Sequence, residues 1–188
     1  MRIIAGAKRG LRLTPVGKGD AAAHLRPTSD RVRESLFNLL CSGRYGDPLT
    51  GARVLDLFAG TGALGLEALS RGAGHVTFVD DGNRACALIR DNIALMQAAE
   101  TTRLLRRNAT RPGDNPDAPF SLVFIDPPYG KSLAPKALDA AMAGDWLTPD
   151  ALIVVEENAP LTAPVGFIRH DSRRYGDTHI TLLQRTDA

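Results

Sequence analysis

With 188 residues, 44% of them apolar and 23% charged, the chain has the size and composition of one soluble globular domain with a real core. Its two cysteines, Cys41 and Cys86, have no CxxC spacing and no neighbouring histidine cluster, which speaks against a disulfide framework or a metal site and fits a reducing cytoplasm. Net charge is only +2, the start carries no apolar run of signal-peptide type, and no stretch of about 18 apolar residues marks a membrane span.

Residues 2–5 (Arg-Ile-Ile-Ala) and 11–16 read as two short strands that turn at Lys8, Arg9 and Gly10. Residues 17–25 are rich in glycine and alanine and are expected to be mobile. A helix begins near Thr28-Ser29-Asp30, which offer N-cap side chains; Val32, Leu36, Leu39 and Leu40 share one face, and Gly43 ends it. This stretch is basic. Residues 1–47 hold nine Lys/Arg against four Asp/Glu, whereas residues 48–188 hold fourteen against seventeen. A basic extension on a mildly acidic body suits a polyanionic partner, although charge alone equally admits a solvated surface. Arginine outnumbers lysine nineteen to four, which favours phosphate and base contacts but would also follow from a GC-rich genome.

From residue 51 apolar strands alternate with helical stretches. Strands are expected at Arg53–Phe58, His75–Val79, Arg103–Arg106, Phe120–Ile125 and Ala151–Glu156, with helices at Gly62–Arg71, Asn83–Gln97 and Leu133–Ala143. Residues 112–119 read as a loop. Val165–His170 and Thr178–Gln184 read as a hairpin turning near Tyr175-Gly176. Such alternation implies a parallel α/β sheet, in which ligands bind beyond the carboxyl ends of the strands. The whole chain is read as one domain, with 1–47 as an extension and 48–188 as the core.

The first of those strand ends runs Asp56-Leu57-Phe58-Ala59-Gly60-Thr61-Gly62-Ala63-Leu64-Gly65. Gly60 to Gly65 matches the G-x-G-x-x-G turn, in which glycines let the backbone approach a ligand closely. Asp80 lies twenty residues after Gly60, where a carboxylate can accept both hydroxyls of a ribose. NAD and S-adenosylmethionine both carry an adenosine ribose, so this pair does not separate them. Asp56 does help: it would repel a pyrophosphate but suits the ammonium and sulfonium of S-adenosylmethionine. A plain strand-end cap is the competing reading of Asp56. Asn108-Ala109, after the third strand, stands where an adenine ring is commonly faced, and a loop-capping role is as good an account of it.

The fourth strand stops at Asp126-Pro127-Pro128-Tyr129-Gly130. Two prolines remove two donors and stiffen the turn, leaving carbonyl acceptors. A strand terminator needs one proline, not an acid, two prolines and an aromatic in succession. An exocyclic amino nitrogen of a nucleobase is a poor nucleophile because its lone pair is delocalised. Asp126 and the Pro127 carbonyl can accept its two hydrogens and aim the lone pair at a methyl donor. Tyr129 can stack on the exposed base, and Asp126 can take the released proton.

The run Asp56 to Ala73 together with Asp126-Pro127-Pro128-Tyr129 resembles the bacterial 16S rRNA guanine-N2 methyltransferase family of RsmD type. So do Arg2-Ile3-Ile4-Ala5-Gly6 and the stretch Arg26-Pro27-Thr28-Ser29-Asp30-Arg31-Val32-Arg33-Glu34-Ser35-Leu36-Phe37-Asn38, which discriminate best because the other two motifs occur in many amino methyltransferases. The resemblance implies a class I, Rossmann-like sheet of seven strands with the last antiparallel, S-adenosylmethionine as cofactor, and a guanine of 16S rRNA in an assembled small-subunit particle as acceptor. It implies the methionine part at Asp56, Gly60 and Gly62, the ribose at Asp80, the adenine at Asn108 and Ala109, and Phe58 as a further cofactor contact. Asp81 is the second candidate for the ribose, and Asn108 stands where Asp is common in the family. The target base falls to Asp126, Pro127 and Tyr129. Arg2, Lys8, Arg9, Arg12, Arg26, Arg31 and Arg33 become candidate RNA phosphate contacts, with Arg26 and Arg31 alternatively ordering the site entrance. A cytoplasmic monomer is expected. His24, His75, His170 and His179 read as structural or surface residues, and Arg173-Arg174 as a solvated turn in preference to an extension of the RNA surface.

Three rivals remain at this point. A DNA adenine-N6 or cytosine-N4 methyltransferase shares both motifs, but the chain leaves little room for an added domain that reads DNA sequence. An NAD-dependent oxidoreductase leaves Asp56 and the proline turn unexplained. A non-catalytic ribosome-assembly factor on the same scaffold has no need of intact motifs.

Overall fold

The short apolar runs between glycine turns assemble into one seven-stranded sheet in the computed structural model, which describes residues 1–17 and 29–186. The strands are β1 (Arg53–Leu57), β2 (His75–Asp80), β3 (Thr102–Arg106), β4 (Phe120–Ile125), β5 (Leu147–Glu157), β6 (Phe167–Tyr175) and β7 (Thr178–Arg185). The α-helices among the described residues are α1 (Asp30–Leu40), α2 (Ala63–Ser70), α3 (Asn83–Met96) and α4 (Leu133–Ala143). Sheet order is β3-β2-β1-β4-β5-β7-β6. Strands β1 to β5 pair in parallel, and β7 runs antiparallel between β5 and β6. This is the expected class I arrangement. The sheet grows from β1 outwards to β2 and β3, then resumes on the other side of β1 with β4. That reversal opens a crevice at the carboxyl ends of β1 and β4.

Strand period two sorts the side chains onto two faces. Leu55, Leu57, Val123, Ile125, Ile153 and Val155 pack with Trp146 and with Ala137 and Leu138 of α4. Val54, Phe78, Phe124, Val154 and Ile180 pack on the opposite face with Leu36 and Phe37 of α1, Leu66 of α2, and Ile3 and Leu13. Each such fully buried side chain contributes on the order of 1.5–3 kcal/mol. The same alternation puts Asp56, Asp80, Glu156 and Thr178 on this second face, at the carboxyl edge.

The N-terminal ladder contracts to one antiparallel bridge, Arg2 with Arg12. The reason is competition for the backbone. Glu67 of α2 accepts the amides of Ile4 and Ala5 at 2.8 and 3.0 Å, and the Ser70 hydroxyl accepts that of Lys8 at 3.0 Å. Gly6 is required here: a Cβ on it would lie 1.8 Å from the Ser70 carbonyl oxygen. Strand β6 runs on to Tyr175 rather than ending at His170, paired with β7 on both sides of a register shift at His170. As an edge strand it is mostly exposed from Ile168 to Arg174, so it lacks the alternation that would have marked its length. Strand β5 likewise begins at Leu147, through a register shift against β4. Residues 112–119 form the expected loop, held by Trp146, whose indole donates to the Gly113 carbonyl at 2.7 Å. Residues 18–28, with most of the stretch expected to be mobile, His24, Arg26 and Thr28, lie outside the described residues. Among the described residues no helix is long and apolar enough to cross a membrane, and no group of three His, Cys, Asp or Glu could hold a metal.

Candidate active site

The turn after β1 is built from left-handed backbone. Phe58, Gly60 and Gly62 have φ of 59°, 57° and 76°. Such a conformation is strained for phenylalanine, by on the order of 1–3 kcal/mol, and strain of this kind gathers at functional sites. At Gly65, inside α2, a Cβ would lie 2.6 Å from both Phe78 and Val76. The missing side chain lets α2 press onto β2, which sets the depth of the turn.

Asp56 is 1% exposed, and its Oδ2 accepts the Gly65 amide at 3.0 Å. Its Oδ1 is buried without a hydrogen-bond partner among the described residues. Burial pushes its carboxyl up to about 8 against the pull of the Gly65 hydrogen bond, with the Asp80 carboxylate adding to the rise. Asp80 closes the turn from the other side. One oxygen accepts the Gly60 amide at 2.9 Å and the other accepts Gly82 at 2.8 Å, while burial raises its carboxyl as well. Asp81 is exposed and accepts the Asn108 amide at 3.1 Å. The Asn108 oxygen in turn accepts the backbone amide and hydroxyl of Thr110 at 2.8 and 2.7 Å. Asn108 is therefore a loop cap in this structure, beside the buried Ala109.

The proline turn starts against this site. The Asp126 amide donates to the Leu57 carbonyl at 3.4 Å, so the turns that end β4 and β1 lie side by side. Pro127 is buried, and Asp126, Pro128 and Tyr129 are half-buried. The Tyr129 hydroxyl donates to Glu156 Oε1 at 2.9 Å and lies 3.1 Å from the Thr178 hydroxyl.

The N-terminal hairpin closes over the same face. Asn92 of α3 accepts the Thr14 amide at 2.8 Å and donates to the Thr61 carbonyl at 2.9 Å, tying the hairpin to the glycine turn. Arg2, Arg9 and Arg31 gather with Asp30 and Glu34 around a shallow groove. Arg12 is exposed and Lys8 half-buried. Arg33 does not belong to a phosphate-contacting set. It is 0% exposed, donates to the Arg2 carbonyl and to Asp30, and faces Glu67 at 3.8 Å. Its place on the inward side of α1 was concealed by the basic run around it.

A family model described as Conserved hypothetical protein 95 matches residues 1–184. Ribosomal RNA small subunit methyltransferase D of Escherichia coli K12 is 37% identical, over 98% of this chain and 90% of its own. This chain belongs to the RsmD-type family. The methyltransferase D of Haemophilus influenzae is likewise 37% identical, over 98% of this chain and 93% of its own. The solved structure of the Escherichia coli yhhF protein superposes with a TM-score of 0.80 at 36% identity, covering 99% of this chain and 98% of that one. As a member of the RsmD-type family, the chain is an S-adenosylmethionine-dependent methyltransferase. The partnerless Asp56 oxygen fits that cofactor, because an incoming ammonium supplies the charge and the hydrogen bond that a buried carboxylate needs.

Four polar residues that were not among the expected site residues also shape the site. Glu67 and Asn92 are 0% exposed and Glu156 and Thr178 are 6% and 9% exposed. Glu156 carried a signal: an acid at the carboxyl end of an apolar strand, the edge at which such sheets bind ligands. Glu67, Asn92 and Thr178 carried none of that kind, because the partners that draw them into the site are 31 to 78 positions away.

Proposed function

We propose that the chain transfers a methyl group to the exocyclic N2 of a guanine in 16S rRNA, within an assembled small-subunit particle. The observation that carries this reading is the hydrogen bond from the Asp126 amide to the Leu57 carbonyl. It sets a turn equipped to hold an amino nitrogen against a turn equipped to hold an adenosyl sulfonium.

Asp56, Gly60 and Gly62 would hold the methionine part, Asp80 the ribose, and Asn108 with Ala109 the adenine, with Phe58 as a further cofactor contact. Bound there, the cofactor supplies an electrophilic methyl group on a positive sulfur. Asp126 and the Pro127 carbonyl accept the amino hydrogens of the guanine and turn its lone pair toward that methyl. Tyr129 stacks on the base once it has left its helix or loop. The proton that the amino nitrogen loses on methylation would go to the Asp126 carboxylate or to water. Arg2, Arg9, Arg12 and Arg31, with Lys8, bring phosphates of the surrounding RNA to the hairpin face, and Arg26 is a further candidate phosphate contact. A ribosomal acceptor puts the reaction in the cytoplasm, and we take a single chain as the acting unit.

The test uses labelled S-adenosylmethionine with three acceptors: small subunits from cells lacking the gene, protein-free 16S rRNA and duplex DNA. The reading predicts label in N2-methylguanosine from the subunits, and its loss in Asp126→Ala with cofactor binding retained. Label in N6-methyladenine of DNA would overturn it.

A further inference from the structure

Tyr129 ends the rigid proline turn, and its hydroxyl is where that turn is tied to the far half of the sheet. The phenol has one hydrogen. With that hydrogen on Glu156 Oε1 at 2.9 Å, the Thr178 hydroxyl 3.1 Å away must be the donor to the phenolic oxygen. Burial, reinforced by the neighbouring Glu156 carboxylate, holds the phenol well above its usual range, so it stays protonated. The two anchors come from different places. Glu156 lies at the end of β5, opposite Ile180, and Thr178 opens β7 across the tight turn from Tyr175. Both are nearly buried, and both lie on the face that carries Asp56 and Asp80. A carboxylate in that position carries a desolvation cost, which the charge-assisted hydrogen bond from Tyr129 offsets.

We propose that Glu156 and Thr178 are positioning residues that lock the Tyr129 ring in the orientation in which it receives the target base. The proposal rests on reading the proline turn as the base site. A tyrosine held only at its Cα samples several χ1 rotamers and a broad χ2. Two hydrogen bonds at the para position remove that freedom before the base arrives. Stacking then costs less ordering, and the amino nitrogen is delivered at the angle that Asp126 requires. The lock also gives the β6–β7 hairpin a part in the site, although none of its residues belongs to either motif.

The test is a double-mutant cycle on methyl transfer to small subunits from cells lacking the gene. Glu156→Ala is expected to lower kcat by about 10- to 100-fold, with the calorimetric affinity for S-adenosylhomocysteine unchanged. Glu156→Gln should recover most of the rate, since its amide oxygen still accepts from the phenol. In a Tyr129→Phe background, which keeps the stacking ring but removes the hydroxyl, Glu156→Ala should cost nothing further. Equal losses in both backgrounds, a normal rate in Glu156→Ala, or a parallel loss of cofactor affinity would overturn the proposal. Should Glu156→Ala fail to fold, the cycle of Thr178→Val with Tyr129→Phe is read in the same way. If the wild-type protein labels no guanine, the base-site reading falls and the proposal with it. If it labels guanine but the cycle is additive, the proposal alone falls.

Discussion

At the scale of single residues, Asp56 shows how a site can be poised by burial. Its carboxyl titrates near 8 in the folded chain, against about 3.9 in an unfolded one. The folded, cofactor-free protein therefore holds a proton that the unfolded chain gives up. Its stabilising effect is complete below about pH 4 and is lost as the pH rises towards 8. Asp56→Asn should flatten this slope, which urea unfolding at pH 5, 6.5 and 8 will measure; identical pH profiles for the two proteins would refute the account. Pairing with the methionine ammonium ionises Asp56, so cofactor binding at pH 7 should release a fraction of a proton. Calorimetry in buffers of different ionisation enthalpy should detect that release in the wild type and a smaller one in Asp56→Asn.

At the scale of elements, α2 is the member to which the others are fixed. Gly65 lets it touch β2, and Glu67 fastens the hairpin to it while facing Arg33 and Arg71 at 3.8 and 2.7 Å. Removing one partner of such a buried set leaves the opposite charge uncompensated. Glu67→Ala should therefore destabilise the fold by about 3–5 kcal/mol, visible as a lower urea midpoint. It should also weaken cofactor affinity, because the hairpin that Asn92 ties through Thr14 to the glycine turn loses its anchor on α2. A stability within about 0.5 kcal/mol of wild type, as for an ordinary surface substitution, would contradict this role. The strands and helices of the core were legible because period two and period 3.6 survive wherever one face is buried. The hairpin was half legible: its turn residues mark it, but the amides of Ile4 and Ala5 go to a carboxylate 63 and 62 positions away, which no local pattern records. Asp56, Asp80 and the proline turn were legible because each stands at a strand end. Arg33 was misread because charge in a basic run says nothing about which side of a helix a residue occupies.

At the scale of the whole molecule, the sheet order brings the glycine turn and the proline turn together at the switch between β1 and β4, and the basic hairpin covers the face on which both open. Charge and chemistry are thus stacked on one side. The exposed arginines of the groove, Arg2, Arg9 and Arg31, should steer and hold the particle, while the buried Arg33 should not. Replacing those three with alanine should weaken binding to small subunits and reduce the log–log salt slope by about 2, at roughly 0.7 per lost phosphate contact. A weaker complex with an unchanged slope would place the RNA elsewhere. The central claim is that Asp126 and its turn methylate a guanine amino group of ribosomal RNA. Its most direct measurement is the nucleoside content of 16S rRNA, by mass spectrometry, from cells lacking the gene and carrying either the wild-type chain or Asp126→Ala. N2-methylguanosine should be restored by the wild type and absent with the variant; equal N2-methylguanosine in both would rule out this role for Asp126.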